Sequence, residues 1–156
     1  MASDSDELLT ICTSIEHETA ALYLYFCELY HDMPDLSRLL RKMVVEKENH
    51  VLQLQLAAKL EQSYEVNAIN NLDYAQQLLN LVTGLQEKTK EYPPTWRNAL
   101  KFAIELENKL SRFYAENALV FAEDSFNSLY MAMKNHDEDH VVVITQYLDA
   151  PSDLTS

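Results

Sequence analysis

Ile104-Glu105-Leu106-Glu107, running on through Phe113-Tyr114, and then Asp137-Glu138-Asp139-His140, form the pattern that decides the fold. An earlier stretch answers it: Ile15-Glu16-His17-Glu18 through Leu24-Tyr25-Phe26, then Glu46-Lys47-Glu48-Asn49-His50. Aligning Glu18 with Glu107 and Tyr25 with Tyr114 gives an offset of 89, while Lys47 with Asp137 and His50 with His140 gives 90. Unrelated surface residues have no reason to keep a common offset at four positions. A carboxylate on one helix and an acid three residues before a histidine on the next, repeated, is how a four-helix bundle builds a paired metal site.

Around this pattern the chain reads as all-helical. Only one glycine and four prolines occur in 156 residues, among many Leu, Ala, Glu, Lys and Gln, which leaves little material for sheet turns. Leu9, Cys12, Ile15, Leu22, Phe26 and Leu29 recur at helical spacing and predict a first helix ending near Tyr30. His31-Asp32-Met33-Pro34 is the expected turn, with Pro34 fit for a first helical position. A second helix is expected over about 36–62, a third over about 95–121 and a fourth over about 126–148. Residues 63–94 read as a long crossover with its own helix, closed by Pro93-Pro94. The expectation is therefore one domain over 1–156: a hairpin at about 5–62, the crossover, a second hairpin at about 95–148, and a frayed tail at 149–156.

The net charge of −13 disfavours nucleic acid and anionic membrane as partners; it serves solubility, and it would also draw cations. Two cysteines, Cys12 and Cys27, without a CxxC pair read as buried residues in a reducing compartment and exclude a four-cysteine metal module within this chain. No basic leader precedes an apolar run, and no run reaches the ~18 residues of a membrane span, so a cytoplasmic protein is the expectation. A homodimer is expected because it is the commonest assembly and because Tyr30, Tyr64, Tyr74 and Tyr130 need partners or surface.

Taken singly, each motif has an ordinary explanation. An Asp-x-x-His on a helix is commonly a solvated face, a lone Glu an edge residue, and Tyr25 or Tyr114 a core aromatic. Repetition changes that. Glu18 and Glu107 sit among apolar neighbours, and buried acids are costly unless paired or metal-bound. Helices packed together would bring Glu18, His50, Glu107, Asp137 and His140 to one spot, a donor set suited to iron or manganese.

On these residues the chain resembles the rubrerythrin branch of the ferritin-like superfamily over nearly its whole length. The spacing is fairly specific; the individual motifs are weak. The resemblance implies a ferritin-like four-helix bundle and a di-iron centre with oxidase or peroxidase chemistry on dioxygen or hydrogen peroxide. It implies Glu18, His50, Glu107, Asp137 and His140 as ligands, with Asp137 standing for the family's Glu, and Tyr25 and Tyr114 as phenols that orient the oxidant or supply hydrogen. The family often carries a rubredoxin module; here an external electron donor would serve instead.

Lys47 departs from the family pattern, because an ammonium repels a cation rather than binding it. Glu18, Glu107 and Asp137 with Lys47 sum to −2, which one divalent ion neutralises. A single-metal site with Lys47 in the second ion's place is one reading. A metal-free site, balanced by a proton or histidinium, in a bundle with an interaction role is another. Glu46 shares a face with His50 and enters the site if the helix rotates; otherwise Glu46 and Glu48 face solvent. His17 and His136, next to Glu18 and Asp137, read as surface histidines. A ferritin-type storage cage fits least, since no fifth bundle helix follows.

Overall fold

A computed structural model describes residues 4–60, 69–120 and 124–154. They form five α-helices, α1 (Asp4–Leu29), α2 (Pro34–Leu60), α3 (Ile69–Glu91), α4 (Trp96–Val120) and α5 (Asp124–Asp149), then a short 3-10 turn at Ser152–Leu154. None of the described residues lies in a strand, and no helix among them is long and apolar enough to cross a membrane. The expected joint between the third and fourth helices lies in part, and Tyr64 wholly, outside the described residues.

Local chemistry explains the helix boundaries. Pro34 opens α2, where its missing N–H costs no hydrogen bond. Thr95 caps α4: its hydroxyl accepts from the Asn98 N–H at 3.3 Å. At the start of α2 the free N–H groups of Asp35 and Leu36 donate to the Asp153 carboxylate at 2.9 and 2.8 Å. That carboxylate also accepts from the Tyr147 hydroxyl at 2.6 Å. The tail, expected to fray, is thus tied down through residue 154. A cap that comes from the far end of the chain leaves no local sequence signal.

α1 pairs with α2 and α4 with α5, as two hairpins. α3 lies mainly against α1 and more lightly on α4, while α2 meets α5 across the bundle. Ala75, Leu78 and Val82 bury one side of α3. α1 is consequently covered on two sides, by α3 on one and by the bundle interior on the other. Its buried set of Leu8, Leu9, Cys12, Ile15, Leu22, Tyr23, Phe26 and Cys27 therefore covers one broad face rather than a narrow stripe. Three of the tyrosines in question find partners within the chain: Tyr130 stacks on Tyr114 with 5.8 Å between centroids, Tyr74 packs edge-on against Phe113, and the Tyr30 hydroxyl donates to the Pro94 carbonyl.

Candidate metal centre

Four helices send charged side chains to one buried point. α1 supplies Glu16, α2 Lys47 and His50, α4 Glu107, and α5 Asp137 and His140. Glu16, Lys47, Glu107 and Asp137 are fully buried. The Lys47 ammonium sits at the centre. It donates to Asp137 Oδ1 at 2.7 Å and Glu107 Oε2 at 2.9 Å, and lies 3.4 Å from Glu16 Oε2.

Each histidine is held at both nitrogens. His50 places Nδ1 3.2 Å from Glu16 Oε1 and Nε2 2.9 Å from Nδ1 of His136, the two rings lying nearly parallel. His140 places Nδ1 3.0 Å from Glu107 Oε1, and its Nε2 meets the Glu46 carboxylate. Both outer partners reach across the bundle: Glu46 comes from α2 to a histidine of α5, and His136 from α5 to a histidine of α2. Tyr114 donates its hydroxyl to Glu16 Oε1 at 2.8 Å. Tyr23 is as deeply buried, and its hydroxyl has no partner.

The structure thus brings His50, Glu107, Asp137, His140 and Tyr114 together around Lys47, and it moves the helix-one contribution. Glu18 and Tyr25 do not reach the cluster. They face α3, where Glu18 accepts from the Gln86 amide at 2.8 Å and the Tyr25 hydroxyl donates to the Thr89 carbonyl at 3.0 Å. Glu16 and Tyr23 hold the interior positions instead. They keep the same spacing of seven, and the true offset to Glu107 and Tyr114 is 91. Two residues along a helix turn the side chain by ~200°, so Glu16 and Glu18 point nearly opposite ways. Glu46 and His136, which are also 90 apart, are the other half of the repeat. Glu46 reaches the outer nitrogen of His140 rather than a ligand position, and His136, expected as a plain surface residue, is exposed yet bonded to His50. His17 is exposed, as expected.

Electrostatics follow from one ammonium facing three buried carboxyls. Burial alone pushes Glu107 up, but the Lys47 ammonium and the His140 contact outweigh it and lower the carboxyl to about 2. Glu16 is lowered by Lys47 and His50 against the same burial. Asp137 goes the other way: burial, then the Glu107 carboxylate, raise it well above its ordinary value. Despite burial, Asp137, Glu107 and Glu16 raise Lys47, which stays an ammonium. His140 is raised by Glu107 and Glu46 against its burial. Both its nitrogens face carboxylate oxygens, so both carry hydrogen in the metal-free cluster.

Do these residues fit a metal? Ligand atoms of Glu107, Asp137 and His140 lie within 4.8 Å of one another. Asp137 Oδ2 and Glu16 Oε2 are buried without a hydrogen-bond partner, an unusual pair of acceptors for a packed core. Two carboxylates and an imidazole suit a divalent transition metal. One ion therefore fits. A second does not, because Lys47 Nζ already occupies the space between the two halves.

No family model, curated protein or solved structure matches the chain. The class that fold and site define is an all-helical bundle with a buried carboxylate–histidine–lysine cluster in its core.

Proposed function

We propose that this chain is a ferritin-like metalloprotein, akin to rubrerythrins, that holds one divalent iron or manganese ion at Glu107, Asp137 and His140. The Lys47 ammonium serves as the fixed second cation. The observation that carries this reading is the convergence of those three ligands beside an acceptor, Asp137 Oδ2, that has no partner. Such an ion, when bound, supplies one-electron chemistry toward peroxide or dioxygen, and this makes the protein an oxidoreductase fed by an external electron donor.

The chain's own residues then have distinct tasks. Glu46 accepts the Nε2 hydrogen of His140 and so aims Nδ1 inward at the ligand position. Glu16 is fixed by Tyr114 and His50 and keeps a charged wall on the opposite side. Lys47 holds Glu107 and Asp137 apart from Glu16 and lowers the local negative charge. Tyr114 keeps its proton, since burial and the Glu16 carboxylate raise it well above its ordinary value. It is the phenol placed to give hydrogen to Glu16.

A second reading is supported by the same Lys47 contacts. With no metal present Lys47 already pairs with all three buried carboxyls, as expected of a bundle that has exchanged chemistry for an interaction role. Peroxide consumption by iron-loaded protein, with a small thiol as reductant, separates the two. Turnover that disappears in Asp137→Asn supports the oxidoreductase; none in iron-loaded wild type favours the metal-free bundle.

A further inference from the structure

The cluster is closed on nearly every side. Glu16, Lys47, Glu107 and Asp137 are fully buried and His50 almost so, whereas His140 keeps 7% of its surface exposed. That surface opens into a cavity of about 130 Å³ between α2 and α5, whose lining includes Met43, Glu46, His136, His140 and Val143. One water centre needs only ~10–15 Å³, so the cavity has room for several waters. Val143, 42% exposed, stands on its wall, and Glu46 bonds the very histidine that leads inward.

We propose that this cavity is the port through which a divalent cation reaches Glu107, Asp137 and His140, with the carboxylates of Asp139 and Glu46 on its wall. The inference rests on the metal-binding reading above. A cation must exchange its water for protein oxygens by stages, because full dehydration away from compensating charge is prohibitive. A wet cavity with a carboxylate beside a ligand imidazole offers such a stage. Elsewhere among the described residues the cluster is walled by packed side chains, and entry would need helices to part. The strongly acidic chain adds a favourable overall field for cations, and on the cavity lining Asp139 and Glu46 outnumber the one lysine, Lys42.

The experiment is stopped-flow loading of metal-free protein with cobalt(II), read by its visible absorption, together with equilibrium stoichiometry. Val143→Trp fills the port from an exposed position. Its loading should slow by at least about tenfold, set now by local opening of the helices, with the final stoichiometry unchanged. Glu46→Gln, which alters charge without volume, should also slow loading. Ala58→Trp, in the separate groove between α1 and α2, should load at the wild-type rate. A wild-type rate in Val143→Trp overturns the port and leaves the metal reading standing. Wild type that binds no cobalt at equilibrium overturns both.

Discussion

Lys47→Met removes the ammonium that faces Asp137, Glu107 and Glu16 at 2.7, 2.9 and 3.4 Å while keeping a flexible side chain of similar length. In metal-free protein the two ionised carboxylates lose their counter-charge inside a dry core. They must either stay charged without a partner or take up protons from neutral solution. Removing one member of a buried ionic set costs about 3–5 kcal/mol. A chain of this size loses ~2–4 °C in Tm per kcal/mol, so the drop should be on the order of 10 °C. Melting followed by circular dichroism in the presence of a chelator measures it. Manganese(II) should then restore more stability to Lys47→Met than it adds to wild type, since the ion supplies the charge the lysine gave. A Tm within about 2 °C of wild type in chelator would refute the central role given to Lys47, because a surface ion pair would cost no more than that.

Further outcomes follow from the same geometry. Glu16→Ala should lower both Tm and metal affinity, whereas Glu18→Ala should leave metal affinity unchanged; isothermal titration with manganese(II) checks both. Metal-free protein should be most stable in weakly acidic solution. The Glu107 contribution is present above its unfolded value of 4.5 and fades as pH falls toward about 2, and the His140 contribution is full below 6.5 and fades as pH rises through its raised folded value. Glu46, Glu107 and Lys47 face that imidazole, and Tm against pH in chelator should show a maximum between those limits. Asp153→Ala should cost about 1 kcal/mol by uncapping α2, seen as a small fall in Tm.

Much of this was legible in the sequence, and the misses share one cause. Low glycine content and apolar periodicity identified the helices, and Pro34 and Pro93-Pro94 marked their joints. The repeated acid-x-x-His pattern brought Lys47, His50, Asp137 and His140 together, because α2 and α5 each turn one face to the bundle centre. α1 was harder to read. With α3 on its outer side its apolar face is broad, so periodicity could not say whether Glu16 or Glu18 faced inward, and both have a tyrosine seven residues on. Only the packing of Gln86 and Thr89 against Glu18 and Tyr25 resolves it. His136 was missed for a related reason: it is exposed on its own helix, and its significance lies in a histidine on another.

The count of metal ions per chain tests the account most directly. After anaerobic loading with iron(II) and desalting, elemental analysis should find one ion in wild type, none in His140→Ala, and two in Lys47→Glu, where a carboxylate replaces the internal cation. Two ions in wild type, or equal retention in wild type and His140→Ala, would contradict it.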